Sequence, residues 1–273
     1  QIESIHSSRN SIRHILNGYA PRNEEESRIY GMKRGLDFIA DRQNTITEEN
    51  LHQLYQISTG DYLPDEDRLL PDHFYRHDVV YVVGCEESRE GLPAQQLPDA
   101  MKRLVDFANA KDGINELHKA AILHFAFAYY HPYFDGNGRT ARLLHLWYLV
   151  QQGYPAALFT PFSRYIAESK AAYYKAYDRI EKNALISGYT DVTPFLSYFC
   201  NEVYNRLKVD VTPPQADLQV YQTALAEGKI TEKERLLWEY VLSAYGTEEF
   251  TTKQLEKDFR NAAYATIRTF VMK

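Results

Sequence analysis

Cysteine is almost missing from this chain of 273 residues, which holds only Cys85 and Cys200. Two thiols cannot make a disulfide scaffold and are too few for a Cys-based zinc site, so a reducing, cytoplasmic setting is the expectation. No apolar run approaches the roughly 20 residues of a membrane span. Gln1-Ile2-Glu3-Ser4 has neither the basic region nor the apolar stretch of a signal peptide. Positive charge is not in excess: 31 Lys and Arg against 37 Asp and Glu leave a net charge of −6. That balance argues against broad, nonspecific nucleic-acid binding and leaves a local anion site open. There is no fixed-period repeat, no low-complexity tract and no Gly-x-x-x-x-Gly-Lys-Ser/Thr phosphate loop. What is plentiful is tyrosine, 22 residues, most of them expected as packing residues with a wet hydroxyl.

Most of the chain reads as helix, so the fold class expected is all-α. Apolar residues recur at three- and four-residue spacing over 25–40 and 47–58, the second after Thr47 as N-cap. The same holds over 99–110, 164–184 and 194–208, the last opened by Thr193-Pro194 as N-cap and first helical residue. Segments 114–130 and 138–151 are apolar on nearly every side, as expected of the buried centre of a bundle. Asp78–Gly84 is the one strand candidate, and an isolated hairpin on a helical body reads as a flap. Val209–Gln215 contains Pro213-Pro214, which cannot continue a helix. The domains expected are therefore 1–208, a linker over 209–216, and a small helical domain over 217–273. In the last, helices are read over 217–228, 231–244, 251–259 and 262–272, with a capping box at Thr231-x-x-Glu234.

Between the two most apolar helices lies a polar segment, His131-Pro132-Tyr133-Phe134-Asp135-Gly136-Asn137-Gly138-Arg139-Thr140-Ala141-Arg142. Gly136-Asn137-Gly138 can take unusual dihedrals and turn several N–H groups toward one point. The helix that starts there adds the positive end of its dipole, making an anion site suited to phosphate. Arg139 and Arg142, three apart on its first turns, can reach different phosphates of one polyphosphate. Asp135 offers a hard oxygen to Mg²⁺, which needs few protein ligands when phosphates supply the rest. His131 can act as a general base near neutral pH. These groups within twelve residues point to phosphoryl or nucleotidyl transfer.

The pattern His-Pro-aromatic-x-Asp-Gly-Asn-Gly-Arg-x-x-Arg resembles the signature of the Fic family, enzymes that mostly transfer AMP from ATP to protein hydroxyls. The family usually has Phe where this chain has Tyr133. The likeness covers about residues 1–208. It takes in Tyr81-Val82-Val83-Gly84 with Leu92-Pro93, which looks like the family's flap, and Ser163–Ile166 with Tyr173–Ala176, which looks like the border of the adenine pocket. Residues 217–273 are similar to the winged-helix tail many such proteins carry.

The resemblance implies a Fic-type helical bundle with a small β-hairpin flap. It implies ATP as substrate, Mg²⁺, and a protein target bearing a Ser, Thr or Tyr hydroxyl. His131 would be the base and Asp135 the metal ligand. Gly136, Asn137 and Gly138 would form the anion hole, Asn137 also bonding a phosphate oxygen, with Arg139 at the β-phosphate and Arg142 at the γ-phosphate. Val79, Val80, Tyr81, Val82 and Val83 would register the target by strand addition. One of Tyr173 and Tyr174 would touch the base. Many family members restrain themselves with a Ser/Thr-x-x-x-Glu helix; Ser7-x-x-x-Ser11 puts Ser11 where that Glu would stand, making position 11 a candidate regulatory site.

Other readings stay open: transfer of a related phosphate-bearing group from another nucleotide, a nucleotide binder without catalysis, or a DNA-binding regulator using the tail. Residues 217–273 carry eight basic against nine acidic residues, a poor footprint for DNA, so protein contact ranks above DNA readout there. A homodimer is neither required nor excluded. His118, His124 and His131 are not at the three- or four-residue spacing of a helical zinc pair, and His118, His124 and His145 are read as structural.

Overall fold

A computed structural model describes residues 8–83, 88–207, 225–244, 250–259 and 262–272. The chain divides into two compact units, Gln1–Leu207 and Lys208–Lys273.

The first unit is a helical bundle built around α5 (Glu116–Tyr130) and α6 (Asn137–Gln151), which pack along each other. Both are apolar almost all round because both are surrounded. Ala120, Leu123 and Phe127 of α5, with Leu144 and Trp147 of α6, are fully buried. Around them stand α1 (Arg9–Leu16), α2 (Glu24–Ala40), α3 (Glu48–Ser58), α4 (Leu97–Asn109), α7 (Phe162–Glu168), α8 (Lys170–Ser187) and α9 (Thr193–Tyr198). Asn23, Thr47 and Asn115 cap their helices through side-chain oxygens that accept backbone N–H groups. Such a cap stabilises a helix by about 1 kcal/mol. Trp147 donates its indole N–H to the Asn44 carbonyl at 2.9 Å, tying α6 to the α2–α3 connection.

The segment expected as one helix over 164–184 is two, α7 and α8, broken at Ser169. The Ser169 hydroxyl donates to the Tyr165 carbonyl at 2.7 Å and lies 2.7 Å from the Tyr198 hydroxyl. A serine that bonds nearby backbone offers the chain an alternative to the helical ladder. The helix expected over 194–208 keeps α-geometry only to Tyr198, then continues as a π-helical turn, Phe199–Val203, and a 3-10 turn, Tyr204–Arg206.

The flap is a two-stranded antiparallel hairpin, β1 (Tyr81–Val83) and β2 (Ser88–Glu90). Tyr81 pairs with Glu90, Val82 with Arg89 and Val83 with Ser88. The strand is shorter than the 78–84 expected, although the Gly91 N–H still donates to the Val80 carbonyl at 2.9 Å. Gly84 and Cys85 lie outside the described residues.

The second unit has its own small core of Leu237, Val241, Leu255, Ile267 and Phe270. It contains α10 (Glu232–Ala244), α11 (Thr252–Asp258) and α12 (Tyr264–Met272). The Thr231 and Glu234 side chains each bond the other's backbone N–H, the expected capping box, and Thr251 with Gln254 makes a second. The helix expected over 217–228 and the linker over 209–216 lie outside the described residues, apart from its last few positions. Among the described residues no helix is long and apolar enough to cross a membrane.

Candidate active site

The signature segment occupies the turn between α5 and α6. α5 ends at His131, which adopts the left-handed conformation at φ 55° and ψ 60°. That conformation costs a non-glycine residue roughly 1–2 kcal/mol and persists only where surroundings hold it. The hold is visible: the His131 carbonyl accepts from Arg76 Nε at 2.8 Å.

The His131 ring is largely buried. Burial first, then the nearby charges of Arg89 and Arg76, hold its pKa down at about 4, against the raising influence of the Ala128 carbonyl and Asp135. The imidazole is therefore neutral near pH 7. Its Nδ1 lies 3.3 Å from the Ala128 carbonyl oxygen. A carbonyl can only accept, so the proton belongs on Nδ1 and the Nε2 lone pair is left to act as a base.

Gly136 caps α6 at φ 80°. A Cβ there would meet Thr59 Cγ2 at 2.3 Å, so α3 lies hard against the loop and only glycine fits. The following N–H groups open α6 and have no partner within their own helix. Asp135 accepts the Gly136 N–H on Oδ1 at 2.5 Å and Arg139 Nη2 on Oδ2 at 3.1 Å. Its side chain is 56% exposed, so lone pairs remain for a cation in solution. Arg139 is buried and Arg142 half-buried.

The Asn137 side chain differs from expectation. Its amide is 2% exposed and folds back on the loop, accepting the Tyr133 N–H at 2.9 Å and donating to the Tyr133 carbonyl at 2.8 Å. It clamps the loop instead of reaching outward.

Tyr173 is the member of its pair drawn inward. It is 5% exposed, and its hydroxyl lies 3.0 Å from His124 Nε2 and 3.2 Å from the Tyr177 hydroxyl. Tyr173 belongs to the core, while Tyr174 beside it is partly exposed, with Lys170 Nζ over its ring. His124 and His145 are buried among Phe195, Phe199 and Tyr204, as structural histidines should be, while His118 is exposed with Nε2 3.7 Å from Cys200 Sγ. On the flap Val79 and Tyr81 are exposed, while Val80 and Val82 are half-buried; the Val83 side chain is outside the described set. Ser11, in the first turn of α1, is buried and accepts the Ser8 hydroxyl at 3.0 Å.

Three participants were not legible beforehand. Tyr55 stacks on Tyr133 with ring centroids 3.6 Å apart, and with Thr59 it floors the loop. Arg76 reaches the loop from 55 residues away. No local spacing announces such long-range contacts.

The model of the Fic/DOC family matches residues 45–149, a span that runs from α3 to the end of α6 and includes the whole signature. The chain belongs to the Fic/DOC family. Among its relatives, protein adenylyltransferase fic-1 of Caenorhabditis elegans is 30% identical over 181 residues, covering 64% of this chain and 31% of its own length. Protein adenylyltransferase Fic of Culex quinquefasciatus is 25% identical over 207 residues, covering 74% of this chain and 35% of its own. This Fic/DOC chain thus spans about a third of the length of these relatives. Its fold is similar to that of a Fic family protein from Desulfovibrio desulfuricans G20, with a TM-score of 0.60 at 18% identity, over 98% of this chain and 74% of that one. The bundle with one hairpin is therefore the family's fold.

Proposed function

We propose that this chain transfers AMP from ATP to a Ser, Thr or Tyr hydroxyl of a protein, releasing pyrophosphate. One observation carries the reading: a neutral His131, with Nε2 open as a base, sits at the mouth of the glycine-capped N-terminus of α6.

His131 Nε2 takes the proton of the target hydroxyl. That oxygen forms a bond to the α-phosphorus as the bond from α-phosphorus to the bridging oxygen of pyrophosphate breaks. The N–H groups of Asn137 and Gly138 receive the phosphate charge, Gly136 shaping the turn that presents them, and Arg139 and Arg142 hold the β- and γ-phosphates. Asp135 is the residue that would hold Mg²⁺, which would offset phosphate charge. A single carboxylate suits a metal whose other ligands are phosphates and water, and no larger cluster of metal-ligating side chains occurs among the described residues. Tyr174 takes the base. The edge formed by β1 at Tyr81 and by Val79 just before it receives the target as an added strand.

The test is incubation of the wild-type chain and of His131→Ala with ATP, Mg²⁺ and a lysate, followed by mass spectrometry. AMP adducts on hydroxyl side chains that appear with wild type and vanish with His131→Ala support the reading. Adducts that persist with His131→Ala, or that carry a different phosphate-bearing group, overturn it.

A further inference from the structure

The last carbonyls of a helix have no partner within it. At the end of α5 four consecutive carbonyls are satisfied, and all four donors come from the flap and its approaches. Tyr129 O accepts from Arg89 Nη2 at 2.6 Å, and Tyr130 O from the Leu92 N–H at 3.2 Å. His131 O accepts from Arg76 Nε at 2.8 Å, and Pro132 O from the Arg76 N–H at 2.9 Å. Tyr129 and Tyr130 close α5 and His131 and Pro132 follow directly, so the flap is built into the end of the helix that leads to the base.

Arg76 is the centre of this arrangement. Its guanidinium also donates to the Asp78 carbonyl at 2.6 Å, on the way into β1, and to the Leu92 carbonyl, on the way out of β2. One planar side chain thereby joins both feet of the hairpin to the left-handed residue. It is 2% exposed and makes no ion pair among the described residues. Burying an arginine against carbonyls alone is costly, and the rigid five-donor fork is the feature a lysine could not copy. The site is also tight: a Cβ on Gly91 would meet Arg76 Nη2 at 2.7 Å and His131 Cβ at 3.4 Å. Arg89 braces the same hairpin from the other side through Glu181 at 2.7 Å and the face of Tyr129.

We infer that Arg76 is a positioning residue, locking the flap and the catalytic loop into one hydrogen-bonded body. The strand edge that receives a target and the imidazole that takes its proton then keep a fixed separation. This rests on the reading of His131 as base and the flap as docking edge.

The experiment compares wild type with Arg76→Lys, which keeps the charge and loses the fork. Gly91→Ala serves as a second variant, displacing the guanidinium without deleting it, should the lysine variant fail to fold. Label from α-phosphate-labelled ATP onto lysate proteins is measured at two lysate concentrations, ATP binding by calorimetry, and amide exchange at His131 and Leu92 by NMR. A misplaced base should cut transfer roughly hundredfold. ATP affinity should stay unchanged, the loss should persist at the higher lysate concentration, and the two amides should exchange at least about tenfold faster. Transfer per folded molecule equal to wild type overturns the inference. If wild type itself labels nothing, the transferase reading fails, and amide exchange alone decides Arg76: unchanged protection at both amides overturns the lock, faster exchange upholds it.

Discussion

Gly136→Ala measures how tightly α3 shapes the anion site. Two costs add. A non-glycine residue at φ 80° loses roughly 1–2 kcal/mol. The new Cβ, 2.3 Å from Thr59 Cγ2 and 3.0 Å from Thr59 Cβ, forces a shift in a packed core, at roughly 1–3 kcal/mol. The sum is about 2–5 kcal/mol, read by urea denaturation. Thr59→Ala separates the costs. It removes the clashing methyl together with a buried hydroxyl that has no hydrogen-bond partner among the described residues, so alone it should be mild. In the double variant the steric part, about 1–3 kcal/mol, should be recovered while the dihedral part remains. A Gly136→Ala loss below about 1 kcal/mol, or full additivity of the two substitutions, would refute the close approach of α3 to the loop.

Tyr133→Phe keeps the stack on Tyr55 and removes a fully buried hydroxyl without a partner among the described residues. It should stabilise the chain by roughly 1–2 kcal/mol in denaturant titration; a loss of that size would mean the hydroxyl is bonded. Asp135→Ala should cut transfer at least tenfold, about 1.4 kcal/mol or more of barrier, with almost no change in thermal midpoint. The reason is that its pair with Arg139 is open to solvent on the Asp135 side and contributes about 1 kcal/mol or less. Acidification should destabilise the fold. Burial lowers the pKa of His124 and holds His145 at about 3 and His131 at about 4. The unfolded chain takes up those protons near pH 6.5, so stability is full above that value and falls as pH drops toward 4. Urea titrations at pH 7.5 and pH 5 should differ by up to about 2 kcal/mol for each buried histidine; a flat profile would contradict their burial as neutral rings.

Much of the bundle is legible because its helices announce themselves locally. Residues 114–130 and 138–151 are apolar on nearly every side, and they turn out to be the two central helices. The loop's backbone chemistry is local too, since Gly136 sets its own conformation and begins its own helix. What stayed hidden is tertiary. Ser169 breaks a helix whose period runs on through it, because its hydroxyl finds Tyr165 and Tyr198. Tyr173 and Tyr174 are adjacent and chemically alike, and only packing decides that the first faces His124. Asn137 reads as a phosphate ligand by type, yet the loop's own Tyr133 backbone takes both ends of its amide. Arg76 carries no motif, and its partners His131 and Leu92 lie far along the chain.

Incubation of the chain with a protein lysate and ATP labelled at the α- or the γ-phosphate tests the central claim most directly. AMP transfer through His131 predicts label on protein from the α-position, none from the γ-position, and loss of label in His131→Ala. Label from the γ-position with none from the α-position would contradict the account.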